Sequence, residues 1–316
     1  MEGTNDQILV SVFMTTYYHE KYIAQALDSI LSQKVNFKYE IVISDDASKD
    51  KTQDIIKSYA QKYSFIKYVF NETNIGLSRN VFQAKTNCQG KYLIQLSGDD
   101  YWIDDYKMQR QLDFLETHNE YIGVGTRLEV RTNNSNTPDY IIPELSICNR
   151  NFNLSDYLGG VNYPLNGFML RNCLSENIDL FSLMPKFSSY IDDEKDCFLI
   201  LTLGKIFIMP EATVAYRKRI EEENEHNFNS INKGIDKLKK HLELLNNCYE
   251  YFGKDYDFFN RYVIAIGPEM IKNYRLSSRK QFSAIFSNLP EEYRKKGLII
   301  HSLLYGVKRG IAVIFR

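Results

Sequence analysis

Two carboxylates, Asp99 and Asp100, stand side by side in Ser97-Gly98-Asp99-Asp100-Tyr101-Trp102, directly after the apolar run Tyr92-Leu93-Ile94-Gln95-Leu96. A strand ending there sets hard oxygen donors at the carboxyl edge of a sheet, where open α/β sheets take their ligands. Such a pair suits Mg2+ or Mn2+, which keep water and phosphate oxygens as their other ligands. An Asp-Asp turn that only opens the next helix explains the same residues without a ligand. Three further segments follow predicted strands or stand just before a helix: Thr15-Thr16-Tyr17-Tyr18, Asp45-Asp46-Ala47-Ser48-Lys49-Asp50 and Asn74-Ile75-Gly76-Leu77-Ser78-Arg79-Asn80. Singly, Thr15 and Asp46 read as helix caps and Gly76 as a turn glycine. Jointly, on one edge of a parallel sheet, they outline a nucleotide pocket.

The elements that would carry these loops alternate. Ile8 to Met14 is β-branched and strand-length, and Glu20 to Gln33 places Ile23, Leu27, Ile30 and Leu31 at helical spacing. Strands follow at Glu40 to Ser44, Ile66 to Phe70 and Lys91 to Leu96, with helices at Lys51 to Tyr63 and Leu77 to Thr86 between them. Strands alternating with helices imply βαβ units and a mostly parallel sheet, an α/β fold. The pattern loosens in the turn-rich stretch Thr132 to Asp139 and resumes in the apolar helix Cys197 to Leu203, which Gly204 would cap. From Ile231 onward the chain reads as helices with charged faces. The charge run Glu221-Glu222-Glu223-Asn224-Glu225 marks the boundary between residues 1–220 and a helical region at 221–316.

Composition narrows the function classes. Lys and Arg number 39 against 40 Asp and Glu, so no global field recruits nucleic acid. A 44 % hydrophobic content excludes a disordered chain. Five scattered cysteines without a CxxC pair suggest neither a zinc site nor a disulfide framework, and favour a reducing compartment. Met1 to Asp6 has no basic n-region and no apolar h-region, so the expectation is a cytoplasmic protein.

The strand and helix Val10 to Tyr17 and Ala26 to Gln33 resemble one family in particular. So do Ile43 to Thr52, Asn74-Ile75-Gly76, Leu96 to Trp102 and Lys107 to Leu115. They are similar to the inverting, non-processive glycosyltransferases of family 2, which have the GT-A fold. The resemblance spans about Val10 to Tyr216 and implies a nucleotide-diphosphate sugar, with a UDP-sugar favoured, as donor. It implies that Asp46 accepts the ring N–H of uracil or thymine, and that Thr15 and Tyr17 hold base and ribose. Arg79 contacts the nucleotide or is a surface arginine. The resemblance further implies that Asp100 is the direct metal ligand, with Asp99 touching ribose or a metal-bound water.

In the second half, Ser189-Tyr190-Ile191-Asp192-Asp193-Glu194 resembles the family's acidic pair, set one helix before Gly204-Lys205-Ile206. The resemblance implies that Asp193 is the catalytic base, with Asp192 second and Asp196 third. An acidic helix N-terminus, favourable with the macrodipole, is the competing reading. Asn166, in Leu165 to Arg171, would face the sugar. Val214-Ala215-Tyr216-Arg217-Lys218-Arg219 resembles the family's Tyr-Arg-x-His ending, with Arg219 in the histidine position, and Arg217 and Arg219 could neutralise a diphosphate. Processive relatives carry a QxxRW signature. The one tryptophan here is Trp102, so single-sugar transfer is implied, with a bacterial surface glycan or its lipid-linked precursor as acceptor.

Residues 295–316 read as an amphipathic basic helix too short to span a membrane. It could lie at the inner face of the cell membrane, or dock on the protein's own core or on a second subunit in a homodimer. Two other function classes remain open. A nucleotidylyltransferase would need a Gly-rich basic loop where Thr15 to Tyr18 stand, and a non-catalytic nucleotide-sugar-binding or scaffold protein would keep Asp46 without the base. No GxGxxG follows the first strand, which disfavours a nicotinamide dehydrogenase.

Overall fold

The structure is a computed structural model. It describes residues 7–132, 135–161, 163, 166–173, 176–177, 182, 187, 193–219, 234–252, 256–273, 287, 289–298 and 301–302, with backbone alone at 193–195, 234–237 and 268–273. The first half is the expected alternation: β1 (Val10–Thr16), α1 (Ile23–Leu31), β2 (Tyr39–Asp45), α2 (Thr52–Lys62), β3 (Ile66–Phe70), α3 (Leu77–Thr86) and β4 (Tyr92–Ser97). The chain continues through β5 (Tyr101–Trp102), α4 (Lys107–Thr117), β6 (Tyr121–Thr132), β7 (Tyr140–Ile142), β8 (Asn151–Phe152), α5 (Leu154–Leu158) and β9 (Met169–Arg171). It closes with α6 (Asp193–Leu203), β10 (Lys205–Lys218), α7 (Gly234–Phe252), α8 (Phe259–Asn273) and α9 (Glu291–Lys295).

All ten strands join one sheet, whose main path runs β3-β2-β1-β4-β9-β6-β10-β5. The first four strands are parallel, with Thr15 opposite both Ser44 and Ser97. That register brings the ends of β1, β2 and β4 to one level, so their following loops share an edge. β1 is buried along its whole length, which is why it carries apolar side chains on both faces, Val12 and Met14 toward one cluster and Phe13 toward the other. The far half is mixed: β9 runs antiparallel between β4 and β6, and β5 runs antiparallel on β10. Sequence periodicity did not expose β5 or β9, because two or three residues carry no period.

One core packs α1 and α4 against the sheet through Leu27, Ile43, Ile94 and Leu112. On the other face, Phe13, Val81, Ala84 and Leu93 form a small cluster beneath α3. A third cluster unites Phe152, Phe198 and Ile208 with Leu245, Tyr262 and Leu298, so the C-terminal helices pack on residues from before position 220. The charge run at 221–225 lies outside the described residues.

The helix read from residue 295 onward is interrupted. Gly297 adopts φ +78° just after α9, a left-handed turn that ends helices and that glycine takes without a Cβ penalty. Leu298 and Ser302 beyond it are buried, and His301 meets Phe259 edge-on at 5.4 Å, so the first turn of the tail docks on the protein itself. The remaining tail, 303–316, lies outside the described residues. Among the described residues, no helix is long and apolar enough to cross a membrane.

Candidate functional site

The carboxyl ends of β1, β2 and β4 are tied together by their own backbone. The Asp46 amide donates to the Thr16 carbonyl at 3.0 Å, and the Gly98 amide donates to the Thr15 carbonyl at 3.0 Å. Thr15 lies inside β1, which Thr16 closes, and Tyr17 is half-buried just beyond, edge-on to Tyr18 at 4.7 Å.

Asp45 and Asp46 divide their work. Asp45 is fully buried and accepts from the Ser48 amide, the Ser48 hydroxyl and the Gln53 side chain, which folds the turn through Ala47 at φ +65°. Asp46 faces the other way and accepts from the amides of Ile75 at 2.7 Å and Gly76 at 3.0 Å. A carboxylate offers about four lone-pair directions, so these bonds leave acceptor capacity. Burial raises the Asp46 pKa above its ordinary value, against the pull of the Ile75, Gly76 and Asn71 hydrogen bonds. Arg79 is exposed in the first turn of α3, directly beyond the loop that Asp46 anchors.

Asp100 is 1 % exposed and is held from two sides. One oxygen accepts from the Arg217 amide at 2.7 Å, and the other accepts from Asn166 Nδ2 at 2.5 Å. Burial, and then the adjacent Asp99 charge, push Asp100 well above the usual carboxylate range. Asp99 shifts the opposite way. Burial raises it, but the charges of His19 at 3.8 Å and Arg219 at 3.1 Å outweigh that and leave it low. Burial also lowers the His19 pKa, so the guanidinium groups of Arg219 and Arg217 are the charges that persist beside Asp99 at neutral pH. Neighbouring carboxylates whose environments drive their pKa values apart are a common mark of a functional centre.

Arg217 lies beneath this pair, not open to it. Its guanidinium is stacked between Tyr22 and Tyr101, at 4.7 and 4.9 Å from their centroids. It donates to the Asp99 carbonyl and, at 2.7 Å, to Gln25 Oε1. The position read as a diphosphate contact is thus engaged in holding the acidic loop, and Arg219 is the arginine that reaches an Asp99 carboxylate oxygen.

The Asn166 turn has its own support. Gly167 sits at φ +82°, and a Cβ there would fall 2.6 Å from Val214 Cγ2, so only glycine fits. Its carbonyl accepts from Lys107 Nζ at 2.5 Å and from Gln111 Nε2 at 3.0 Å. Lys107 is completely buried, and burial draws its pKa well below the usual lysine value.

Of the acidic candidates in the second half, Asp192 lies outside the described residues, and Asp193 opens α6 with only its backbone described. Asp196 is buried and paired with Lys85 at 2.5 Å. A carboxylate so enclosed is poorly placed to reach an acceptor hydroxyl. The structure therefore brings together Thr15, Tyr17, Asp46, Asp99, Asp100, Asn166 and Arg219. To these it adds His19, Gln25, Tyr22, Tyr101 and Lys107, which the sequence did not mark. The nearest available sign was the run Tyr17-Tyr18-His19-Glu20, polar and aromatic directly after a buried strand.

The fold has known counterparts. The model of the glycosyl transferase family 2 matches residues 11–178 of the 316, more than half the chain. EpsE of Bacillus subtilis, provisionally named a glycosyltransferase, is 38 % identical over 122 residues, covering 38 % of this chain and 43 % of its own. TuaG of the same organism, provisionally named a teichuronic acid biosynthesis glycosyltransferase, is 36 % identical over 112 residues, covering 35 % and 44 %. The matched segment is thus well under half of each of these relatives. Among solved structures, S. aureus TarS in complex with UDP-GlcNAc superposes with a TM-score of 0.59 at 20 % identity, over 94 % of this chain and 80 % of that one. GalNAc-T7 with UDP, GalNAc and Mn2+ superposes with a TM-score of 0.58 at 13 % identity, over 82 % and 51 %. These likenesses establish a GT-A-like fold. By its matched model, and in keeping with the fold that carries it, the chain belongs to glycosyl transferase family 2.

Proposed function

We propose that this glycosyltransferase moves a single sugar from a UDP-sugar to a hydroxyl of a glycan or lipid-linked glycan acceptor in surface polysaccharide synthesis, with inversion and with a divalent metal ion. The observation that carries the reading is the juxtaposition of Asp46 with the Asp99–Asp100 pair at one sheet edge. A base acceptor and a hard-oxygen pair at one edge suit a nucleotide diphosphate. TarS was crystallised with UDP-GlcNAc on this fold, and GalNAc-T7 with UDP and Mn2+. The name of TuaG supports a surface-polysaccharide acceptor.

The residues present fit a metal. Asn166 Oδ1 is a buried oxygen with no hydrogen-bond partner among the described residues, and its amide nitrogen is on Asp100. Among the described residues no cluster of three or more His, Cys, Asp or Glu forms a protein-only cage. Two carboxylates that leave most positions to phosphate and water are the Mg2+ and Mn2+ pattern. Asp100 would hold the ion, with Asp99 beside it. When bound, it would neutralise charge on the leaving diphosphate.

The protein groups do the rest. Asp46 accepts the base N–H, Thr15 and Tyr17 wall the base and ribose, and Arg79 and Arg219 offer positive charge to the nucleotide. Arg217 keeps the acidic loop in place. Asp193 takes the acceptor proton as that oxygen attacks the anomeric carbon, giving a β-linked product from an α-linked donor through an oxocarbenium-like transition state.

The test is release of nucleotide diphosphate from UDP-, dTDP- and GDP-sugars with Mn2+ or Mg2+ and mixed glycan acceptors. Metal-dependent release from a UDP-sugar is the expected result. Calorimetric UDP binding without turnover of any donor would instead make the chain a binding protein.

The Asp46 role also predicts a pH dependence. Protonation removes the acceptor, and burial places that protonation above the ordinary carboxylate value. UDP affinity in EDTA is therefore expected to hold at neutral pH and to fall on acidification earlier than an unperturbed carboxylate would allow. Asp46→Asn should bind UDP about tenfold more weakly at neutral pH, the scale of one hydrogen bond to a charged group. The ratio of native to variant affinity should shrink toward one as pH falls.

A further inference from the structure

Lys85 and Asp196 form an ion pair of 2.5 Å with side-chain exposures of 4 and 2 %, joining α3 to α6 across 111 residues of sequence. Neither residue belongs to the donor pocket. Burying such a pair costs several kcal/mol per ion in desolvation, and well-packed apolar replacements are often neutral or stabilising. Stability alone therefore does not account for it. The best-attested use of buried ionic groups is to specify register.

Register is what α6 lacks without the pair. Cys197, Phe198, Leu199, Ile200 and Leu201 are all buried, and five consecutive residues at about 100° each pass right around a helix. A helix apolar on every side gains nearly as much from one rotation as from another. Asp196 is the one buried charge among the described side chains of α6. Its partner comes from a well-anchored element. Asn80 of α3 is clamped to β2 by the Ser44 hydroxyl at 2.6 Å and the Ser44 carbonyl at 3.0 Å, while Val81 and Ala84 pack beneath Phe13 and Leu93. Lys85 lies 5.4 Å from the centroid of the Phe13 ring. The charges also suit their helices, with Lys85 in the last turn of α3 and Asp196 in the first turn of α6.

We propose that the Lys85–Asp196 pair is a positioning device. It fixes the rotation of α6 against the nucleotide-binding half, and with it the setting of Asp193, three positions earlier on the same helix. This rests on the reading of Asp193 as the base. Asp196 is accordingly a positioning residue, not a proton acceptor.

The test compares Lys85→Met, Asp196→Asn and the apolar double variant Lys85→Met/Asp196→Leu, reading Tm, kcat, donor KM and calorimetric UDP affinity. Each single variant removes one member of the pair and leaves the other's charge buried, so a lower Tm is expected in both. The double variant removes both charges and should recover Tm. Its kcat should stay down roughly a hundredfold, the scale set by a misplacement of about 1 Å, with donor KM and UDP affinity unchanged. Amide exchange over residues 193–203 should be faster than in the native protein at that recovered Tm. Native kcat in the double variant overturns the proposal, because the pair then serves stability alone. Asp193→Asn in the native background keeps the two readings separable. If that variant is inactive while the double is native-like, only the positioning role fails. If Asp193→Asn is fully active and the double is slow, Asp193 is not the base and the register of α6 still governs turnover.

Discussion

Asp100→Ala is expected to lower metal-dependent turnover about a thousandfold while leaving UDP binding in EDTA within about twofold of native, magnitudes drawn from the loss of a charge-stabilising group at a reacting centre. The size of the effect follows from how much converges on one side chain. The carboxylate is 1 % exposed and accepts from the Arg217 amide and from Asn166. Truncation removes the proposed metal oxygen and orphans both donors at once. The expected sparing of UDP binding follows from geometry, since Asp46 is held through Ile75 and Gly76 on a different loop. Tm separates damage from chemistry. Two orphaned donors cost on the order of 2–6 kcal/mol together, so Asp100→Ala should melt earlier yet still fold. Asp100→Asn keeps an oxygen for the Arg217 amide and restores much of the Tm. It should not restore turnover, because a neutral amide holds a divalent ion poorly. Full activity in Asp100→Asn would remove Asp100 from the metal role.

The part of this site that could be read from sequence is the part that parallel strands enforce. Val10 to Thr16 and Tyr92 to Ser97 are largely apolar parallel strands whose ends must fall on one edge, so the sequence alone places Asp46 near Asp99–Asp100. The strand read as Ile8 to Met14 runs from Val10 to Thr16, and the shift of its end puts Thr15 inside β1, within the usual uncertainty of element ends. What holds the acidic loop was hidden, because its partners come from distant segments with no local signature. In sequence Arg217 reads with Arg219 as a candidate to neutralise a diphosphate. Only the pairing of β5 with β10 slides it between Tyr101 and Tyr22. Nothing in the sequence marks Lys107 as buried, yet it is, with the Gly167 carbonyl as a partner for its ammonium. Asp196 misled for the same reason. In sequence it is one more acid beside Asp192 and Asp193, while its partner Lys85 lies on another helix. Asp192 and the side chain of Asp193 lie outside the described residues, so the base remains a reading from sequence.

Asp193→Asn should therefore be the sharpest test of the reaction itself. An acceptor hydroxyl is a weak nucleophile until its proton is taken, and a positioned base contributes about 10^2- to 10^4-fold. A loss of about a thousandfold in kcat is expected, with donor KM, UDP affinity and metal affinity unchanged, since only the transition state loses an interaction. The acid limb of the kcat–pH profile should disappear with the carboxylate, a change that a merely misfolded variant would not produce. The three neighbouring acids then separate by mechanism. Asp192→Asn should be nearly silent, and if it instead takes the thousandfold loss, the base is Asp192. Asp196→Asn should lower Tm, because it strands the Lys85 charge in the interior, and its kcat–pH profile should keep the native acid limb while its kcat falls. On the proposed mechanism two acids of α6 have separate roles, with Asp193 at the helix start taking the proton and Asp196, paired with Lys85, setting the rotation of the helix.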